Sequence, residues 1–544
     1  MPSSTPPSTP GAGGEIEKHT TLPHTNLTDD LAGSSSQESA DHGDARIDAI
    51  RQKKPVLRFL ANLESRIDRF AKFEAMGVER VPEDKRRPPQ ILNGVMGYDA
   101  NMAIQMIFFW FSVLFSPTMI QIGILGPILG LSVNTSIILT IFATLSGSTV
   151  PAFTATLSPM TGLRQVAVSR YSLGLWGSKL AAVLNVVINI GYATIAAILG
   201  GQLLRAVSGG SLALVVGIVI IILAAFVVSF LGYRVIHHYE RYAWFFALVL
   251  ICVLYGQSAK YFSPTPDAGL SSGIDLSGGC LSYFAIIFGV CASWCPIAGD
   301  YYIHYPVATS KWLVFGLTYI GLIVPTIFVG TLGNLLGGIV LTNETLSSIH
   351  RQSGTGGLIL AIMSPPDAWG KFACVFFALS FLGDTIANIY SSALCMQLLG
   401  KHFVAVPRFF WCTILSLVTF ALAYGGRNVL EEIINNLLSI LGYWTLAFAV
   451  ILFIEHFYFR PMIGGYDLTA WQDPKRLPLG LAGTGSLLIG IGFSFLGMCQ
   501  TWYIAPIAKK IGRYGGDVGD ELTLISVTIA YPVLRTLELK CIGR

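Results

Sequence analysis

The sequence predicts an all-α polytopic membrane protein with twelve transmembrane helices. Three observations carry this. Of 544 residues, 53% are hydrophobic and only 12% are charged, about half the charged fraction of a soluble chain. Mean hydropathy is +0.62. Apolar runs of about 20 residues, the length that crosses a bilayer, recur along the chain.

The expected elements follow in order. Residues 1–54 are rich in Ser, Thr, Pro, Gly and Asp and cannot bury enough apolar surface to fold, so a disordered cytoplasmic tail is expected. Residues 55–90 form a basic amphipathic helix and linker. Leu57, Leu60, Leu63, Ile67, Phe70 and Phe73 recur at helical spacing with Arg58, Arg66, Arg69 and Lys72 between them, and Gly77 ends the pattern. Such a helix suits an anionic leaflet or the transmembrane body. The transmembrane domain, 91–544, holds spans at roughly 104–131, 134–158, 175–206, 211–232, 242–258, 279–299, 312–342, 370–399, 405–425, 431–456, 478–499 and 518–537. No cleavable leader is expected, because apolar sequence begins only near residue 103.

Charge placement sets the expected orientation. With the tail inside, the inner segments carry about 14 Lys/Arg against about 8 outside. Both termini are therefore expected in the cytoplasm. The sequon Asn343-Glu344-Thr345 then falls in an outer loop, open to glycosylation, whereas Asn26-Leu27-Thr28 is inside and silent. The nine cysteines are scattered without CxxC spacing, and Cys291 and Cys295, one helical turn apart, suit packing better than a disulfide or metal.

Polar residues inside the apolar runs carry the functional reading. Gly383-Asp384-Thr385-Ile386-Ala387-Asn388 places a carboxylate and an amide near mid-membrane depth. An ionised side chain there costs roughly 2.5–3.5 kcal/mol even on a lenient scale, so it faces protein or a pathway. Four residues apart, Asp384 and Asn388 share a helix face and can reach one ligand. The alternative is a buried polar contact joining two helices.

Two spans are interrupted. The first contains Phe115-Ser116-Pro117-Thr118 and the sixth Ser293-Trp294-Cys295-Pro296-Ile297-Ala298-Gly299-Asp300. Proline removes a donor and frees carbonyls, which survive in a membrane only at a cavity or against protein. Breaks five helices apart are what inverted five-helix repeats of secondary transporters produce. Gly333 and Gly337 on the seventh span, and Gly485, Gly490 and Gly497 on the eleventh, read as close helix packing, with a homo-oligomeric face as the alternative.

Several motifs in order resemble the purine–cytosine permease branch of the nucleobase:cation symporter family, of fungal type. They are Met76-Gly77-Val78-Glu79-Arg80-Val81-Pro82, Gly162-Leu163-Arg164-Gln165 with Ser169-Arg170-Tyr171, and Ser293 to Ala298 with Asp300-Tyr301. Leu441-Gly442-Tyr443-Trp444, Tyr514-Gly515-Gly516-Asp517-Val518-Gly519, Tyr531-Pro532 to Arg535, and Leu537-Glu538-Leu539-Lys540 complete the set. The resemblance implies a five-plus-five inverted-repeat core with two additional C-terminal helices and alternating access around a midplane site. It implies a planar nitrogen heterocycle, a nucleobase or related compound, carried with a cation, H⁺ in fungal members.

By the same resemblance, Trp294 on the sixth span stacks the ring while Asp384 and Asn388 hydrogen-bond it. Tyr192 keeps an aromatic on the third span, where Ala196 lacks the family's amide. Ser112-Val113-Leu114 stands where the first span usually has Ser-Ala-Asn, and Asp384 replaces a usual asparagine. Fewer amides and an added carboxylate suit a donor-rich or cationic face, such as a pyridinium-like vitamin; allantoin or a nucleoside is the further alternative.

Leu382 and Gly383 occupy the places of sodium-binding hydroxyls in sodium-coupled relatives, so the coupling ion is expected to be H⁺, with no metal and no other cofactor. Because desolvation penalises a charged carboxyl, Asp384 is the leading proton carrier. Asp300 and Glu455 are placed near water at helix ends, with Glu455 and His456 an interfacial snorkelling pair. No nucleophile, paired acid or His cluster marks an enzyme, and a non-transporting ligand sensor of the same fold is the other class. The expected partners are a small heterocycle and the lipid bilayer, with no nucleic acid, in the plasma membrane.

Overall fold

A computed structural model describes residues 51, 54–71, 79–86, 98–231, 233–262, 271–364 and 367–544, all within the compact unit Ile50–Arg544. Of the expected tail only Arg51 and Lys54 are described; the rest of it, and Lys72, Phe73 and Gly77 of the amphipathic pattern, lie outside the described residues. Pro55–Ala71 is helical, with Leu57, Leu60 and Leu63 half-buried and Val56 and Phe59 exposed. Just before it, Arg51 donates from Nε to Ala405 O at 3.2 Å.

Among the described residues, nine helices are long and apolar enough to cross a membrane, joined by one bent pair and two shorter apolar helices. The bent pair is Ala103–Leu114 with Thr118–Ile128. The others are Val133–Thr161, Arg170–Val207, Leu214–Ser229, Trp244–Tyr261, Gly273–Ala292, Lys311–Thr342, Asp367–Gln397, Arg408–Gly426, Leu430–Met462, Leu481–Gly497 and Gly519–Ile542. These twelve match the twelve apolar runs one for one.

Their packing has the pairing of an inverted repeat. The first span packs on the fifth and seventh; its counterpart five helices on, the sixth, packs on the tenth and second. The third and eighth pack together along their length, as do the fourth and ninth. Five is odd, so equivalent helices run in opposite directions. The eleventh and twelfth pair with each other and lean on the tenth.

Close approach at the core depends on missing side chains. A Cβ at Gly333 would lie 2.5 Å from Ile120 O and 2.8 Å from Gly123 Cα, so the seventh-span glycines seat the second half of the broken first span. Between the seventh and eighth spans, the loop helix Glu344–Met363 bends at Gly354, whose φ of 66° favours glycine, against Gln202 of the third span. Asn343 caps that helix, its side-chain oxygen accepting Leu346 N–H at 3.1 Å.

Candidate functional site

The first span stops at Leu114 and restarts at Thr118 with its axis turned by 55°. Pro117 has no N–H to donate, and the freed groups are met by hydroxyls. Ser380 Oγ donates to Phe115 O at 3.4 Å, and Ser116 Oγ accepts Thr118 N–H at 3.3 Å. Thr118 Oγ1 then donates to Asp384 Oδ2 at 3.2 Å. Ser380, Asp384 and Asn388 follow at four-residue spacing, so one face of the eighth span lines the break.

Asp384 and Asn388 are 9% and 6% exposed. Asn388 Nδ2 donates to Asp384 Oδ1 and to Asp384 O, both at 2.8 Å. Both amide hydrogens are thereby committed, and what Asn388 can offer a ligand is its carbonyl oxygen. Among the described residues no Lys, Arg or His pairs with Asp384. The cluster is therefore a carboxyl held by one hydroxyl and one amide donor without a countercharge, with the Asn388 carbonyl oxygen left to accept.

The sixth-span break is built in parallel. Thr154 Oγ1 donates to the freed Cys295 O at 3.0 Å, and Tyr192 OH shares a 3.0 Å hydrogen bond with Ser293 Oγ. Trp294 is half-buried, its ring edge-on to Trp110 with centroids 5.6 Å apart and planes at 86°. Trp110 is held in turn, Nε1 donating to Tyr302 OH at 3.4 Å. The structure thus joins Asp384 directly to Asn388, ties Tyr192 to the sixth-span break and fixes the Trp294 ring. Ser112 is half-buried before the first break and takes no part in these hydrogen bonds. The hydroxyls that do include Ser116, Thr118, Thr154, Ser293 and Ser380, none of them among the expected site residues; for all but Thr154 the signal is nearness to a proline break or one turn's distance from Asp384.

One expectation is corrected. Glu455 does not snorkel: it is 1% exposed, because a π-helical turn at Glu455–Phe459 carries it inward. There it binds Arg460 at 2.6 Å and Arg535 at 3.2 Å, and accepts Tyr531 OH at 2.6 Å. Its partner in the expected pair, His456, instead shares a 3.1 Å bond with Tyr466 OH. Asp300, half-buried at a short helix end, keeps a side chain that solvent still touches, and it accepts Gln165 N–H at 2.6 Å and faces Arg164 at 3.5 Å. Nearby His304 is pulled down to about 4 by burial and by the charges of Arg164 and Arg86.

Among the described residues no group of three His, Cys, Asp or Glu could hold a metal, and the cysteines are free. Helices broken at the same point of two inverted repeats, with polar side chains of the third and eighth spans on the breaks, define a membrane transporter of the inverted-repeat class. The chain belongs to the family described as permeases for cytosine/purines, uracil, thiamine and allantoin, which matches residues 100–519.

Purine-cytosine permease FCY2 of Saccharomyces cerevisiae is 32% identical, over 87% of each chain. Purine-cytosine permease fcyB of Emericella nidulans is 30% identical over 97% of this chain and 99% of its own. Vitamin B6 transporter TPN1 of S. cerevisiae is 29% identical, covering 87% of this chain and 90% of its own. Among solved structures, inward-facing Mhp1 aligns with a TM-score of 0.62 at 13% identity, over 86% of this chain and 96% of its own. Mhp1, a nucleobase-cation-symport-1 family transporter, closed with bromovinylhydantoin bound, aligns at 0.59 and 13% identity, over 80% and 92%. At such identity the likeness concerns the fold, which is that of the inverted-repeat transporters.

Proposed function

We propose that this protein imports a small planar nitrogen heterocycle by alternating access, driven by H⁺, across the plasma membrane with both termini in the cytoplasm. The observation that carries this reading is the Asp384 carboxyl, buried at the first-span break between Thr118 and Asn388 with no countercharge. A buried unpaired carboxylate costs several kcal/mol, and a proton or a cationic ligand removes that cost. Asp384 is thus both proton carrier and substrate contact, Asn388 offers an acceptor oxygen, and Trp294 supplies a ring to stack on. In this reading Tyr192 acts through its hydrogen bond to Ser293, and Ser112, one turn before the first break, is a further substrate contact.

The relatives favour a purine or cytosine as cargo. The acceptor-only pairing of Asp384 and Asn388 favours a donor-rich or cationic ring, and a vitamin B6 transporter is among the relatives, so a pyridinium-like vitamin is the second reading. Radiolabelled uptake into cells lacking endogenous permeases, across nucleobases, nucleosides, allantoin and pyridoxine, separates the two. Each is measured at two external pH values with a protonophore control. Asp384→Asn is expected to abolish pH-driven accumulation while the protein still reaches the surface; intact accumulation would remove Asp384 from coupling. Trp294→Ala is expected to weaken affinity, and an unchanged KM removes the stacking role.

A further inference from the structure

The motif Tyr514 to Gly519 has no part in the site above. It leads into the twelfth span at the end of the bundle opposite the C-terminus, and it carries Asp517, with Asp520 one residue beyond it. Both are buried, at 1% and 7% exposure, but their surroundings differ sharply. Asp517 is fully supplied with donors. Its Oδ2 accepts Tyr443 OH at 2.5 Å, Cys499 N–H at 3.0 Å and Gln500 Nε2 at 3.4 Å, and its Oδ1 accepts Gly519 N–H at 2.9 Å. That is how a fold solvates an ionised carboxylate.

Asp520 has no such support. Both its oxygens are buried without a hydrogen-bond partner, and so is the amide oxygen of Gln500, a residue 3% exposed. Gln500 Nε2 is spent on Tyr443 OH at 3.0 Å and on Asp517 Oδ2 at 3.4 Å, which places the amide beside Asp517 while its oxygen has no donor. The Asp520 carboxylate lies against Gly442 of the tenth span, where a Cβ would come 2.9 Å from Oδ1 and 3.1 Å from Oδ2. Asp517 grips the next residue, Tyr443, so two acids clasp consecutive positions of one helix. The titratable groups around Asp520 are Asp517 and Glu521 on its own segment, Tyr443 on the tenth span and Cys499 on the connection from the eleventh. Among the described residues no Lys, Arg or His pairs with either acid.

A place in the first turn of a helix favours an acid only modestly. Burying an unpaired carboxylate costs more than that, so the dipole does not offset it, and a second carboxylate beside it adds repulsion. We propose that Asp520, with Asp517 and Gln500 Oε1, forms a binding site for one monovalent cation, H⁺ or an alkali ion, separate from the charge carried at Asp384. The cation supplies the positive charge that neither side chains nor helix end provide. Its occupancy bears on transport through packing: Leu438 O and Gly442 of the tenth span close on Gly289, where a Cβ would lie 2.2 Å from that oxygen, one turn before the sixth-span break.

The test uses purified full-length protein at neutral pH. Melting is followed against sodium, potassium and choline chloride at constant ionic strength, and infrared difference spectra record the carbonyl stretch of protonated carboxyls. An alkali ion gives a saturable rise in melting temperature that Asp520→Asn abolishes and Asp384→Asn retains. A proton gives no such rise but a carboxyl band that Asp520→Asn removes. Ion-independent melting together with a carboxyl spectrum unchanged in Asp520→Asn overturns the proposal. Gln500→Leu, which leaves both acids in place, guards against a misfolded Asp520 variant. It is expected to weaken the ion's half-saturation about tenfold or to shift the carboxyl band, a tenfold change corresponding to about 1.4 kcal/mol. Wild-type behaviour in that variant on both readouts removes Gln500 from the site.

Discussion

Thr118 and Asp384, 266 residues apart in sequence, meet at 3.2 Å where the first span is broken. The contact exists because Pro117 ends one helix and lets Thr118 begin another at a new angle, turning its hydroxyl toward the eighth span. A buried hydroxyl and a buried carboxyl thereby satisfy one another.

Thr118→Val keeps the side-chain shape and deletes that donor. Hydrogen bonds to charged groups contribute roughly 1.5–3 kcal/mol, about a 10- to 100-fold change in an equilibrium constant. Substrate accumulation is expected to fall by about that factor, with Thr118→Ser close to wild type. Surface labelling alongside uptake distinguishes lost function from lost protein; equal uptake by the Val and Ser variants would count against the contact.

Gly333→Ala drives a Cβ into Ile120 O and Gly123 Cα, and overpacking of this kind costs about 1–3 kcal/mol. Gly316→Ala on the same helix meets nothing within 4 Å and is expected to be neutral or slightly stabilising. Melting of the two purified variants side by side checks the contrast. Indistinguishable curves would mean that the first and seventh spans are not in such close contact.

Glu455→Gln leaves Arg460 and Arg535 buried with their shared anion gone. Removing one member of a buried charged set costs about 3–5 kcal/mol. A marked fall in melting temperature and poor recovery from membranes are expected. A melting point within experimental error of wild type would return Glu455 to the water-exposed position that its sequence context suggests.

His304 lies between the sixth and seventh spans, and burial with Arg164 and Arg86 nearby holds it down to about 4. In the unfolded chain it titrates near its ordinary value of 6.5. Since the folded form binds the proton less well, this contribution to stability is complete above the unfolded value and is lost as pH falls from 6.5 toward 4. The slope reaches at most ~1.4 kcal/mol per pH unit, less where the half-buried ring meets solvent. His304→Gln is expected to flatten that part of the melting-temperature profile; parallel wild-type and variant profiles would show that the ring does not titrate with folding.

How legible each feature is depends on the range of the interaction behind it. Twelve spans and the breaks at Pro117 and Pro296 can be read along the chain, because apolar length and a missing N–H are local properties. The Asp384–Asn388 pair is legible for the same reason, four residues being one helical turn. Thr118 as the partner of Asp384 is not, since Ser112 and Ser116 are equally available hydroxyls on the same segment and only the 55° bend selects among them. Glu455 misleads because its neighbours His456, Tyr458 and Arg460 look interfacial, while Arg535 and Tyr531, which draw it inward, lie about eighty residues on.

The sequence alone determined that this protein spans the membrane with helices, where those helices fall, which two are interrupted, and that its midplane carries an acid. Those conclusions need only the length of apolar runs and the cost of a charge in lipid. The tertiary structure decided what surrounds each buried charge. Asp384 has hydroxyl and amide donors without a cation, Glu455 has two arginines, Asp517 has four donors, and Asp520 has none. That could be settled only in three dimensions, because solvation inside a protein is supplied by groups that folding brings from distant parts of the chain.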